Sequence, residues 1–307
     1  MNTATTTKTP PAVAPTPPDE PGTRGTPLSL SPSRASDFKS CPLLYRFRSI
    51  DRLPEPPSPA ATRGTLVHAV LERMFDLPAS DRNVASTVEL IEPEWRALLT
   101  ERPELAELFN VADQPTTDGM EPDPSDAAGS ATSTNTEAAW LASTKELVTR
   151  YFDLEDPTRL EPAAREELVE TMLDDQVRLR GIIDRLDISP AGDIRVVDYK
   201  TGAVPGEKFE TAAMFQLKFY ALMVWRVRGV IPRQLRLIYL SGKQILDYSP
   251  DADELNRFAG ALGSLATAID KARSSGDFRP KTGPLCKWCH HQALCPAYGG
   301  TPPPFPD

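Results

Sequence analysis

Two short apolar stretches joined by a turn signal constrain this chain more than any other feature. QVRLRGIID and DIRVVDYK flank the segment SPAGD. Each is too short for an ordinary helix and rich in aliphatic and β-branched residues, and Ser, Pro, Gly and Asp between them belong in a hairpin connection. The chain must therefore hold a sheet. Side chains alternate along a strand, so Ile194, Val196, Asp198 and Lys200 fall on one face and Arg195, Val197 and Tyr199 on the other. Two charges at the end of a core-facing row are costly unless they meet each other, a metal or a ligand. Asp184, expected at the end of the neighbouring strand, is close enough across a hairpin for its carboxylate and that of Asp198 to share one cation. Hard oxygen donors suit Mg2+ or Mn2+.

The flanking sequence predicts an α/β domain. EELVETML reads as a further strand before the hairpin and QLRLIYLS as one after it. A short helix is expected from Ser31 into Cys41 and Pro42. The Pro-rich connector LPEPPSPAAT follows, and then an amphipathic helix on which Val67, Val70, Leu71, Met74 and Phe75 recur at helical spacing. Further helices are expected at about 84–99, 138–152, 207–228 and 252–274. Residues 1–27 are Thr/Pro-rich and read as a disordered tail, 28–296 as one domain, 111–137 as an acidic low-complexity insertion, and 297–307 as a flexible tail.

Charge does not exclude a nucleic-acid partner. The net charge is -9, but 111–137 carries six acidic residues and no basic one, so the remainder stands at -3. Thr211 to Leu246 holds Lys218, Arg226, Arg228, Arg233, Arg236 and Lys243 with no acid. No apolar run approaches the roughly 20 residues that span a bilayer, so no membrane partner is expected and a cytoplasmic location follows by default. No Walker-type phosphate loop is visible, so helicase activity would need a partner.

Phosphodiester hydrolysis is the chemistry that uses two carboxylates and a lysine on adjacent strands. Metal ions polarise the phosphate and generate the nucleophile, and the lysine orients water or stabilises transition-state charge. An isolated D-x-K triplet is more often a surface ion pair. Gln216 and Tyr220, four residues apart on one helix, share a face that would meet a nucleic-acid strand or simply edge the core. His68 alone reads as a structural histidine.

With RGTLVH, GIIDRLD, VVDYKTG and QLKFY in this order, the chain resembles the RecB-like branch of the PD-(D/E)xK nucleases, which includes CRISPR-associated exonucleases and the nuclease domains of recombination helicases. The resemblance covers about 28–296. It implies a restriction-endonuclease-like core, a central mixed β-sheet flanked by helices, with His68, Asp184 and Asp198 as metal ligands and the Tyr199 carbonyl as a further one. Lys200 takes the catalytic lysine position, and Gln216 and Tyr220 the DNA-binding helix motif. Glu170 resembles an acid found in some members. The implied function is a metal-dependent DNA exonuclease acting on single strands or ends in repair or recombination, with a helicase or recombination protein as partner. The alternative is a non-catalytic DNA-binding scaffold subunit retaining the fold.

The four cysteines are Cys41, Cys286, Cys289 and Cys295. Without a secretion signal they point to a metal site rather than disulfides, and four thiolates suit either structural Zn2+ or a 4Fe-4S cluster, with His290 or His291 as a substitute ligand. The resemblance favours 4Fe-4S in an N/C-terminal iron-sulfur subdomain.

Overall fold

A computed structural model describes residues 28–109, 136–202 and 207–306. The tail 1–27 and nearly all of the acidic insertion lie outside the described residues. Strand β1 (Leu28–Leu30) is followed by helices α1 (Pro32–Ser40) and α2 (Pro42–Tyr45), a π-helical turn (Arg46–Ile50), then α3 (Pro59–Met74), α4 (Val84–Val88), α5 (Ile91–Glu101) and α6 (Glu137–Tyr151). Strands β2 (Ala164–Asp174), β3 (Val177–Ile188) and β4 (Ile194–Lys200) come next. After them run α7 (Glu207–Arg228), β5 (Gln234–Tyr239), β6 (Gln244–Tyr248) and α8 (Ala252–Ser275).

Capping sets the helix starts. Ser31 and Ser58 precede α1 and α3, each accepting a backbone N–H of the first turn, and each helix opens on proline, where the missing donor costs nothing. Helix α3 thus begins inside the Pro-rich connector. It buries Leu66, Val67, Val70, Leu71 and Met74 completely. The single helix expected over 84–99 is two helices. Pro93 cannot donate to the Glu89 carbonyl and its ring would clash there, so the chain restarts with Pro93 in the first turn of α5.

The sheet is mixed. β2 lies antiparallel along one edge of β3; the other edge is shared by β1, parallel to its beginning, and β4, antiparallel to its end. Gly192, at φ 87, closes the β3–β4 hairpin where SPAGD predicted it. β4 and β5 run parallel, a pairing that needs the long crossover supplied by α7, and β6 returns antiparallel to β5.

Helices cover both faces. Ile194, Val196, Leu235 and Leu237 pack into one core with α1, α2, α7 and α8; Val197, Tyr199, Ile238 and Leu240 pack into a second with α3, α5 and α6. The alternation read from β4 therefore holds. One expectation is corrected. Asp184 lies inside β3, which continues to Ile188. Within the segment expected as a flexible tail, the Pro303 carbonyl accepts from Arg46, and Phe305 stacks on Phe278 at 5.7 Å.

Candidate active site

Asp184 and Asp198 face each other just past the last paired residues of the β3–β4 ladder, Arg185 and Val197. The ladder stops there because the carboxylate takes over. The Tyr199 N–H donates to Asp184 Oδ2 at 2.7 Å instead of to a strand carbonyl. On the other side, the β2–β3 ladder passes from Arg165–Arg185 to Glu167–Ile183 and skips Glu166, whose φ is 43. Glu166, Asp184 and Asp198 thus form one row across three neighbouring strands.

His68 reaches this row from α3. Its Nε2 lies 3.0 Å from the Tyr199 carbonyl, and its Nδ1 lies 3.5 Å from both Glu166 and Asp184. Ligand atoms of His68, Glu166 and Asp184 all fall within 4.8 Å of one another. Asp198 is 1% exposed, and its Oδ1 has no hydrogen-bond partner among the described residues. Such an orphaned carboxylate oxygen beside two further carboxylates and an imidazole fits a divalent cation.

Proton affinities follow from this crowding. Burial, and then the Asp198 charge, push the Asp184 carboxyl up. Burial opposes protonation of His68, but Asp184 and Glu166 outweigh it and raise its pKa to about 9. Burial likewise works against the Lys200 ammonium, yet Asp198 prevails and holds its pKa above the usual lysine value. Without metal, protons do the work that a cation would do.

Lys200 is fixed from two sides. Its Nζ lies 2.7 Å from Asp198 Oδ2 and donates to Gln216 Oε1 at 2.8 Å, and Gln216 Nε2 donates to the Tyr220 hydroxyl at 2.9 Å. The Gln216–Tyr220 pair therefore joins the site by its contact with the lysine, and Tyr220, 6% exposed, is buried rather than presented outward. A Cβ at Gly181 would stand 2.9 Å from the Tyr220 ring, so glycine in GIIDRLD is what lets Tyr220 lie against β3.

Glu170 does not belong to this site. It is exposed and pairs with Arg180 at 3.3 Å, while Glu166, which the sequence did not single out, occupies the place beside His68. A strand pattern gives no warning of a left-handed residue that turns its side chain.

The four cysteines are free and half-buried. Among the described residues no three of their sulfurs lie within 4.8 Å of one another, whereas a tetrahedral zinc site with bonds near 2.3 Å needs about 3.8 Å. The four sulfurs are therefore not gathered tightly enough to share a single zinc ion. Cys41 Sγ accepts the Lys281 N–H at 3.4 Å and Cys286 Sγ the Gly283 N–H at 3.3 Å. Burial raises the Cys289 thiol pKa, with smaller contributions from Cys41, Cys286 and Cys295.

No helix among the described residues is long and apolar enough to cross a membrane. The chain is 30% identical over 127 residues to the Gene 69 protein of Mycobacterium phage L5, spanning 40% of this chain and 41% of that protein. It covers well under two thirds of that relative. A solved structure, the "Putative exonuclease" of Eubacterium rectale, aligns over 86% of this chain and 87% of its own at 13% identity and a TM-score of 0.49. The family model of the PD-(D/E)XK nuclease superfamily matches residues 29–296. On that match, which takes in every residue of the row, the chain belongs to the PD-(D/E)XK nuclease superfamily.

Proposed function

We propose that this chain is a Mg2+- or Mn2+-dependent DNA exonuclease of the RecB-like type, working in repair or recombination alongside a helicase or recombination partner. The observation that carries the reading is the convergence of His68, Asp184, Asp198 and Lys200 at one end of the β3–β4 pair, with Asp198 Oδ1 left without a partner. His68, Glu166, Asp184 and Asp198 would hold the metal, and the Tyr199 carbonyl, with a lone pair beyond its His68 contact, is a further donor. A divalent cation bound there supplies positive charge to the phosphate and lowers the pKa of water.

The protein's own contribution is placement. Lys200, protonated and tethered by Asp198 and Gln216, is poised to meet charge developing on a phosphate oxygen. Tyr220 orients Gln216, and Gln216, half-buried at the rim, is the member of that pair with access to a DNA strand.

The cysteine loop is proposed to carry a 4Fe-4S cluster with Cys41, Cys286, Cys289 and Cys295 as ligands. Two of these sulfurs already accept backbone N–H groups, and a four-iron body spreads its ligands wider than a single zinc ion does. Iron content with absorbance near 400 nm supports this; stoichiometric zinc in its place assigns the loop to structural metal.

Digestion of end-labelled single- and double-stranded DNA with Mg2+ or Mn2+ tests the nuclease. Release of nucleotides by the wild type, abolished in Asp184→Ala and Asp198→Ala and lowered by about 10²–10³ in Lys200→Ala, is expected. Undiminished cleavage by either aspartate variant removes the assignment.

A further inference from the structure

We propose that the C-terminal cysteine loop is a seat for unpaired DNA bases, from which a single strand runs past α1 to the rim of α7 and into the active site. The proposal rests on the nuclease reading above and adds the form of the substrate and its path.

Trp288 is 71% exposed, more than any other large apolar side chain described, and Tyr298 on the same loop is 51% exposed. Among the described residues the Trp288 indole makes no ring contact and its N–H no hydrogen bond. This is not the exposure of an unanchored end. The next turn is pinned by His291, 4% exposed and 2.8 Å from Glu55, and by Gln292, which donates to the Cys286 carbonyl. With Leu285, 59% exposed, the two rings give one short anchored loop three exposed large apolar side chains, the kind of grouping that marks an interaction surface.

The loop's own charged residues are basic, although Arg279 is paired with Asp277 at 2.9 Å and Glu55 reaches the loop at His291, which leaves Lys281 and Lys287 to carry its positive charge. In a chain of net charge -9, residues 278–306 contain Arg279, Lys281 and Lys287 and no Asp or Glu. The positive groups also lead somewhere. Lys281 Nζ donates to the Lys39 carbonyl at 3.1 Å; the exposed Lys39 ammonium sits 4.0 Å from the centre of the Phe215 ring; and the next residue on α7, Gln216, accepts from Lys200. Phosphates following these ammonium groups arrive at the metal row.

Aromatic rings with a basic track form the combination that binds single strands, since every unstacked base offers a face to a ring while lysines follow the backbone. A duplex keeps its bases stacked on each other and has no use for the ring. An acidic protein partner would also be drawn to the lysines, so the experiment separates the two.

Binding of fluorescein-labelled oligo(dT) is measured by anisotropy in Ca2+, beside a blunt duplex of equal length, for the full chain. Trp288→Ala should weaken oligo(dT) binding about tenfold, Trp288→Phe should restore most of it, and the duplex should change far less. Lys281→Ala should lower the slope of log affinity against log salt by about 0.7. Unchanged oligo(dT) affinity in Trp288→Ala, or an equal loss for duplex, overturns the proposal and leaves the loop to a protein partner. The nuclease reading stands or falls separately, on cleavage by the wild type in Mg2+ or Mn2+.

Discussion

Glu166 sits at φ 43, a conformation that costs a non-glycine residue about 1–3 kcal/mol. What offsets the cost is visible at the side chain, which lands 3.5 Å from His68 Nδ1 and within ligand distance of Asp184. The strain and the donor set are thus one feature, and they can be separated. Asn tolerates the left-handed region but offers a neutral amide, one methylene shorter, in place of the carboxylate. In Glu166→Asn the metal-free protein should stay within about 1 kcal/mol of wild type, while the rise in melting temperature on adding Mn2+ shrinks markedly. Glu170→Gln, changing an exposed acid outside the row, should keep the full rise. Equal Mn2+ shifts in wild type and Glu166→Asn would remove Glu166 from the ligand set.

At the scale of elements, the site depends on how closely α7 approaches β3, and Gly181 sets that distance. Gly181→Ala places a Cβ 2.9 Å from Tyr220 Cε1, so the ring must move, and with it the Gln216 amide that holds Lys200. Overpacking of this kind costs about 1–3 kcal/mol. The expected signature is a kcat loss of tenfold or more while the KM for DNA stays within a few-fold, because the disturbed link ends on Lys200; a KM change with kcat intact would refute that link. The elements themselves were legible where period and length agreed. α7 falls at 207–228 as the pattern required, α8 at Ala252–Ser275 against an expected 252–274, and the alternation of β4 sorts its residues between the two cores. Legibility failed where the signal was weak or the conformation unusual. β6 never becomes fully buried, so it writes no apolar pattern; β1 is three residues long; the break before α5 turns on the one carbonyl that Pro93 cannot serve. Of the site, the paired strands announced Asp184, Asp198 and Lys200. His68 became readable only through the family resemblance, which also chose between the two readings that spacing left open for the Gln216–Tyr220 pair, and Glu166 was not readable at all.

The molecule as a whole is tied by two contacts that lie outside the metal row itself. Between β3 and the second helical layer, Arg185, fully buried, pairs with Glu155 at 2.8 Å and with the Tyr199 hydroxyl at 2.7 Å. Burial alone would raise the Glu155 carboxyl, but Arg185 and Arg236 outweigh it and hold its pKa below the ordinary 4.5. Native protein therefore binds this proton less readily than unfolded chain does. The stabilisation is complete above 4.5 and is lost as pH falls through the depressed native value. Glu155→Gln should cost about 1–3 kcal/mol at pH 7, because the buried Arg185 guanidinium keeps only Asp187, 3.1 Å away, as counter-charge, and should flatten acid denaturation below pH 4.5. Urea unfolding at pH 7 and pH 4 checks both parts; a variant whose acid sensitivity matches wild type would place the acid weakness elsewhere. The second tie joins the two ends of the described chain. Arg46, 6% exposed, bonds to the Pro303 carbonyl and stacks over Phe305 at 5.2 Å, and Phe305 covers Phe278, itself 5% exposed against Tyr45. Removing residues 301–307 strips that cover from Phe278 and takes one partner from a buried guanidinium. A loss of about 2–4 kcal/mol is expected from the uncovered ring and the lost bond together. The destabilisation should centre on the contact between the π-helical turn and the C-terminal loop, so amides of 42–50 and 284–298 should exchange faster with deuterium while those of β3 and β4 keep their protection. Uniform loss of protection across the sheet would show that the closing segment supports the whole domain and not this corner alone.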